Sequence, residues 1–264
     1  TAENRIFTDE PMKKHTTFRV GGPADILVQP KGTELASVIR LCRKYDVPYQ
    51  VIGNGSNLLV GDRGIRGLVI EMLSKEDEIC VEDDCITVGA GMLLSKTANR
   101  AAEHGLTGME FAAGIPGSIG GAVVMNAGAY SGEMKDILTA VTVLDQEGNE
   151  KILSAEELEL GYRTSCILKK GYIVTGAKIK LKHGEETAIR ARMEELKKQR
   201  VEKQPLEYPS AGSTFKRPEG YFAGKLIMDA GLRGYLVGEA QVSEKHCGFV
   251  INRGDRKSTR LNSS

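Results

Sequence analysis

The chain has 264 residues, of which 41% are hydrophobic and 27% are charged, and its formal net charge is +1. This composition is ordinary for a globular protein, and the near-zero charge argues against nucleic acid or a membrane surface as a partner. Five scattered cysteines and four histidines show neither metal-ligand spacing nor a disulfide framework. We expect a cytoplasmic protein, a monomer, with no metal ion.

The first 72 residues predict a small β-α-β unit, which forms the first lobe of the fold. Residues 34–45 carry apolar side chains at helical spacing, and Thr33 is the predicted N-cap of this helix. The strands of the lobe are predicted at residues 24–29, 48–52, 58–60 and 68–72.

Residues 73–183 predict a second α+β lobe. A hairpin is expected at residues 79–88, and a helix at 93–104 is expected to end at Gly105. A glycine-rich loop covers residues 114–132 and is followed by strands predicted at 138–144, 151–153 and 172–181. A charged helix at 187–202, with an apolar stripe of Ile189, Met193 and Leu196, then opens a third region.

A first candidate ligand loop lies in the segment VIGNGSNLLV, residues 51–60. Its glycines would allow successive N–H groups to point into one concavity that binds phosphate oxygens. A tight turn without a ligand explains the loop alone equally well, and neither a Rossmann fingerprint nor a P-loop is present. The candidate cofactor-binding residues are Gly53, Asn54, Gly55, Ser56, Asn57 and Leu58.

A second candidate loop follows in the segment GIPGSIGGAVVMNAGAY, residues 114–130. So many glycines weaken an element whose only task is packing, which favours a ligand along this backbone. Two such loops in successive lobes indicate one long dinucleotide. The candidate residues here are Gly114, Ile115, Pro116, Gly117, Ser118, Gly120, Gly121 and Ala122.

These motifs together are similar to those of the UDP-N-acetylenolpyruvoylglucosamine reductase family. The matching segments are KHTTFRVGG (14–22), GNGSNLL (53–59), residues 114–128, GYRTS (161–165), PSAGSTFKRP (209–218), AGL (230–232) and HCGF (246–249). The resemblance implies an α+β fold, a two-lobed FAD-binding unit of the vanillyl-alcohol-oxidase (PCMH) type followed by a smaller α+β substrate domain. It places the lobes at 1–72 and 73–183 and the substrate domain at 184–254.

The resemblance also implies a reaction, in which NADPH reduces non-covalently bound FAD and the flavin reduces the enolpyruvyl ether of a nucleotide sugar. Hydride addition leaves negative charge beside a carboxylate, and Arg163 matches the family arginine that stabilises it. Ser213 matches the family serine that donates the proton. The further candidates for substrate binding are Tyr130, Lys216, Arg217, Glu239 and His246.

One family feature is absent from the sequence. The family carries a catalytic glutamate near its C-terminus, whereas residues 255–264 contain no Glu. We therefore expect residues 255–264 to be a non-native tail and the third domain to be incomplete. Two alternatives stay open: a flavin-binding protein of the same fold without turnover, and an FAD oxidase that acts on another substrate.

Overall fold

The structure is a computed structural model that describes residues 5–73 and 79–254. The tail expected at residues 255–264 lies outside the described residues. Within the described part of the chain, no helix is both long enough and apolar enough to cross a membrane.

The N-terminal sheet has the strand order β1-β2-β4-β3. Its elements are β1 (Ile6–Pro11), β2 (Pro23–Val28), α1 (Glu34–Lys44), β3 (Tyr49–Ile52) and β4 (Ile65–Glu71). The expected β-α-β order is confirmed, but the strand predicted at 58–60 is wrong, because these residues have no regular structure. Thr33 precedes α1 without capping it, since its backbone is already helical and its side chain makes no capping hydrogen bond.

A second sheet has five antiparallel strands in the order β11-β10-β12-β6-β5. The strands are β5 (Ile79–Glu82), β6 (Cys85–Gly89), β10 (Leu138–Leu144), β11 (Glu150–Ser154) and β12 (Ile173–Lys180). The predicted hairpin is thus confirmed. Side chains such as Val88, Val141 and Ile179 point from this sheet into a single large apolar core.

Short elements connect and cover this sheet. They are α2 (Leu94–Glu103), β7 (Leu106–Thr107), α3 (Ile119–Val124), β8 (Gly128–Ala129), β9 (Gly132–Glu133), α4 (Cys166–Lys170) and β13 (Lys182–His183). The prediction of one continuous loop over 114–132 is wrong, because α3 and the β8–β9 pair lie inside it. The helix forms because Ser118 caps it and because Ile119, Ala122 and Val123 supply a buried face.

The C-terminal part of the described chain begins with α5 (Glu186–Lys203). Its predicted apolar stripe is confirmed, since Ile189 and Leu196 are buried and Met193 packs against the core. Beyond it lie α6 (Ala223–Asp229), β14 (Leu236–Val237), β15 (Ala240–Val242) and β16 (Val250–Asn252). No residue of α6 is buried.

The chain divides into two compact units. The first comprises the residues up to 6, 28–54 and 70–198, and the second comprises 7–27, 55–69 and the residues from 199 onward. The division into domains at 1–72, 73–183 and 184–254 stays a prediction.

Candidate functional site

The first unit brings parts of the two glycine-rich loops into contact. The side-chain amide of Asn54 donates a hydrogen bond to the carbonyl of Pro116, with 2.5 Å between Nδ2 and O. A Cβ added to Gly53 would lie 2.0 Å from Oγ of Ser118, which is far inside van der Waals contact. Gly53 is therefore required by the close approach of the two loops. Asn54, Gly114 and Pro116 remain exposed beside this contact.

The second loop is anchored by its own backbone. Gly120 N–H donates to the carbonyl of Ala90 at 2.7 Å, and Ile119 N–H donates to that of Met92 at 2.8 Å. Gly121 N–H donates to the capping Oγ of Ser118 at 3.4 Å, and Ala122 N–H donates to its carbonyl at 2.9 Å. The N–H groups of 119–122 are thus used inside the chain, and Gly120 and Gly121 serve close packing here. Ile115 is half-buried against the core, and Gly117 accepts a hydrogen bond from Leu94 N–H at 3.0 Å.

The remainder of the first loop belongs to the second unit. Gly55 has φ +59°, and a Cβ there would lie 1.9 Å from the carbonyl oxygen of His15. Its own carbonyl accepts a hydrogen bond from Thr17 N–H at 3.2 Å. Ser56 and Leu58 are half-buried and Asn57 is exposed. The motif at residues 14–22 and this loop therefore support each other.

Arg163 lies in the first unit, and its own backbone is in an unusual conformation. Its guanidinium donates to the carbonyls of Asn126 at 3.2 Å and Gly128 at 2.9 Å, and it lies 5.3 Å from the ring centre of Tyr162. The backbone of Arg163 has φ +55°, and Asn126 (φ +40°) and Tyr130 (φ +51°) share this left-handed conformation. Such conformations are unusual for residues other than glycine and cluster at functional sites.

Asn126 is a residue that the sequence-based prediction of the site missed. It is fully buried, and its amide group donates to Glu133 Oε2 at 2.8 Å and to the carbonyl of Gly161 at 3.1 Å. Its Oδ1 accepts from Lys135 N–H at 2.9 Å. Because its backbone carbonyl also accepts from Arg163, Asn126 fixes the segment that carries the arginine. The available signal was an amide between two runs of small residues.

Ser213 and His246 lie together in the second unit. Ser213 forms an antiparallel bridge with Phe249. A Cβ added to Gly248 would lie 3.0 Å from Ser213 Oγ and 2.9 Å from His246 Cε1, so both side chains flank one glycine. His246 Nδ1 accepts a hydrogen bond from Gly248 N–H at 3.1 Å, which leaves Nε2 as the nitrogen that carries the proton in the neutral ring.

The other candidates for substrate binding are more dispersed. Lys216 is exposed, and Arg217 donates to the carbonyl of Tyr221 at 3.2 Å and stacks 4.0 Å from the ring centre of Phe222. Glu239 is half-buried beside Gly254. Their participation in one site stays a prediction. Among the described residues, no group of three or more His, Cys, Asp or Glu side chains could hold a metal ion.

The comparisons with known proteins agree with this architecture. Residues 24–154 match the family model described as FAD binding domain. Residues 204–262 match that of the UDP-N-acetylenolpyruvoylglucosamine reductase C-terminal domain. A solved alkyldihydroxyacetonephosphate synthase covers 69% of this chain and 39% of its own at a TM-score of 0.50 and 15% identity, a likeness that concerns the fold alone. The matched family models and the fold thus define an FAD-binding protein of the predicted α+β class.

More similar proteins narrow the assignment. The UDP-N-acetylenolpyruvoylglucosamine reductase of Agathobacter rectalis is 58% identical over 95% of this chain and 83% of its own length. The reductase of Clostridium perfringens (strain SM101 / Type A) is 56% identical over 96% of this chain and 83% of its own length. The crystal structure of the Thermus caldophilus reductase matches with a TM-score of 0.84 at 40% identity, over 98% of this chain and 91% of that chain. The chain belongs to the UDP-N-acetylenolpyruvoylglucosamine reductase family, which confirms the resemblance.

Proposed function

We propose that the protein is an FAD-dependent oxidoreductase that reduces UDP-N-acetylglucosamine enolpyruvate to UDP-N-acetylmuramate in peptidoglycan synthesis, with NADPH as the reductant. The family membership over 95% of the chain is the observation that carries this proposal. When bound, FAD supplies a two-electron carrier that takes a hydride from NADPH and delivers it to the alkene. We place this activity in the cytoplasm and in a monomer.

The loops fit such a cofactor. Gly53 and Ser118 touch, Asn54 bridges to Pro116, and the exposed small residues beside them leave room for a diphosphate against the backbone. The proposed cofactor residues remain those at 53–58, 114–118 and 120–122. The backbone N–H groups of residues 119–122 are already used in hydrogen bonds within the chain. We therefore assign the backbone hydrogen bonds to the cofactor diphosphate to the segment before Ile119.

Arg163 stabilises the negative charge that develops on the substrate. A guanidinium has five N–H donors in one plane, and within the described part of the chain Arg163 uses two of them, on the carbonyls of Asn126 and Gly128. The remaining three are available to the carboxylate of the enolpyruvyl group. Because two carbonyls hold the plane in place, the positive charge is oriented before the substrate arrives, which is the arrangement that favours electrostatic catalysis.

Ser213 donates the proton to the carbon next to that carboxylate. A serine hydroxyl is a weak acid, so it works only when it is positioned beside strong carbanion charge. The bridge to Phe249 and the flanking Gly248 fix its location, and His246 borders the same space. Tyr130, Lys216, Arg217, Glu239 and His246 are proposed to bind the nucleotide sugar.

The half-reactions test this proposal separately. The FAD-loaded protein is mixed anaerobically with NADPH, and we expect its flavin band to bleach and then to return when the enolpyruvyl substrate is added. Ser213→Ala should keep the bleaching and lose the return, whereas the matched control Ser210→Ala should keep both. Bleaching without any substrate-dependent return in the unmodified protein would support a flavin-binding protein without turnover. Turnover of another substrate with oxygen would support the oxidase alternative.

A further inference from the structure

A basic cavity lies within the second unit, and its lining borders Glu239 through Arg253 and Gly254. Its volume is about 630 Å³, which suits a small molecule. Four of its lining side chains are cationic, and among the described residues no Asp or Glu lines it. The cationic residues are Lys13, Lys14, Arg19 and Arg253. None of the residues proposed above for cofactor, catalysis or substrate lines the cavity.

The walls of the cavity are tied together by hydrogen bonds between distant parts of the chain. The buried Asn252 donates from Nδ2 to the carbonyl of Phe18 at 3.1 Å. Thr17 donates from Oγ1 to the carbonyl of Ser210 at 2.7 Å. Asn252 N–H also donates to the carbonyl of Pro209 at 2.9 Å. The loop at residues 12–22 is therefore held against residues 209–254, so the cavity exists before any ligand binds, and binding costs less ordering entropy.

Arg19 is the most informative residue of the cavity lining. Its backbone has φ +55°, a left-handed conformation that is uncommon for a residue other than glycine. The turn is closed by Arg19 N–H, which donates to the carbonyl of Thr16 at 3.1 Å. Within the described part of the chain, the Arg19 guanidinium has neither a hydrogen bond nor a carboxylate partner. By contrast, Lys14 is 3.1 Å from a carboxylate oxygen of Glu10.

Arg253 supplies a second arginine to the cavity lining, from the part of the chain at residues 208–254. Its guanidinium lies 5.8 Å from the ring centre of Tyr208, which also lines the cavity, and donates a long hydrogen bond of 3.4 Å to Gln241 Oε1. Neither partner is anionic. An arginine beside an aromatic ring and a second arginine without a partner present planar forks that match phosphate oxygens, with lysines adding point charge.

We propose that the basic cavity binds a phosphate-bearing small molecule with at least two negative charges. Arg19 and Arg253, which have no carboxylate partner among the described residues, offset such a charge, and the volume accommodates a diphosphate with part of the group attached to it. The proposal also gives a binding role to Lys14 and Arg19 of the motif at 14–22, which the reductase proposal uses only as support for the loop at Gly55. It does not rest on that proposal, because the two sets of residues are different.

Titration with inorganic diphosphate tests the proposal on the full chain. Isothermal titration calorimetry should give one site on the unmodified protein. Arg19→Asn removes the cation while keeping a residue that tolerates the left-handed backbone, and Arg253→Gln removes the second arginine. Each should weaken diphosphate binding by about tenfold, as expected for the loss of one charge-assisted hydrogen bond. The matched control is Arg233→Gln, an exposed arginine of the same unit that does not line the cavity.

Competition identifies the source of the phosphate. Displacement of diphosphate by UDP, by NADP⁺ or by FAD, each weakened in the Arg19→Asn variant, would support the proposal and name the ligand. Displacement by inorganic phosphate alone would overturn the proposal in favour of a simple anion site. Absence of diphosphate binding to the unmodified protein would overturn the proposal. An equal dissociation constant in the double variant Arg19→Asn/Arg253→Gln and in Arg233→Gln would also overturn it. Retained flavin bleaching by NADPH in the variants would separate this result from a failure of the proposed reaction.

Discussion

Substitution of Gly53 by alanine tests the contact between the two glycine-rich loops. The new Cβ would lie 2.0 Å from Ser118 Oγ and 3.0 Å from Ser118 Cβ, whereas non-bonded atoms prefer about 3.5 Å. One loop must therefore move by about 1.5 Å. Ser118 is buried and caps α3, so it has little room to yield. Overpacking of this kind costs about 1–3 kcal/mol.

We expect the Gly53→Ala variant to lose about 2–12 °C of melting temperature without cofactor, given about 2–4 °C per kcal/mol for a chain of this size class. If the displaced loops are those that hold FAD, its dissociation constant should rise about 5- to 150-fold. Differential scanning fluorimetry and titration of flavin fluorescence measure the two effects.

A second substitution separates steric conflict from other causes. Ser118→Gly removes the atoms that the new Cβ would strike and costs only a few tenths of a kcal/mol as an N-cap. The double variant Gly53→Ala/Ser118→Gly should therefore recover most of the loss. In the matched control Gly121→Ala the new Cβ makes an ordinary 3.5 Å contact, so the protein without cofactor should keep its melting temperature. An unchanged Gly53→Ala variant, or a double variant with no recovery, would refute the steric explanation.

Three further predictions follow from named contacts. Gly248→Ala would push a methyl group between Ser213 and His246. The substrate-dependent return of the flavin band should therefore slow about 100-fold, while the flavin content of the protein stays unchanged. An unaltered rate would contradict the position assigned to Ser213. Asn126→Ala removes the three hydrogen bonds of a fully buried side-chain amide, at about 0.5–1.5 kcal/mol each, so its melting temperature should fall well below that of the control Asn99→Ala. A hydrogen bond from the backbone N–H of Asn149, with a smaller contribution from Lys151, lowers the pKa of Asp145 from 3.8 to about 2. The ionised Asp145 therefore stabilises the fold above pH 3.8, and this stabilisation is lost as the pH falls through about 2. Acid unfolding of Asp145→Asn should lack this component, and acid profiles identical to those of the unmodified protein would disprove the assignment.

Local patterns predicted the elements whose signal lies within a few residues. The hairpin at 79–88 and the stripe of Ile189, Met193 and Leu196 were found because alternation and helical spacing are properties of neighbouring side chains. The strand expected at 58–60 failed for the same reason, since three apolar residues predict a strand whether or not a partner strand lies beside them. The closely spaced glycines of residues 114–132 predicted a loop. The helix α3 nevertheless forms inside this segment because Ser118 caps it and because Ile119 and Val123 are buried in the core.

The candidate site was predictable to the extent that its motifs are contiguous. Arg163 and Ser213 were identified by the resemblance of GYRTS and of the segment around AGSTF to the family. Asn126 was missed because its importance depends on partners as distant as Gly161 and Arg163. The basic cavity could not be predicted from the sequence either, since it combines residues 13–19 with residues 208–254. The spacing of single cations along the chain does not indicate which distant segments come into contact in the fold.

Anaerobic reoxidation of the reduced protein tests the central claim most directly. The flavin of the FAD-loaded protein is reduced with one equivalent of NADPH, and UDP-N-acetylglucosamine enolpyruvate is then added. The mass of the product is determined by mass spectrometry. We expect the flavin band to return in proportion to the substrate added, and the product to be heavier than the substrate by two hydrogen atoms. A flavin that stays bleached, or a substrate recovered with its mass unchanged, would contradict the proposed reaction.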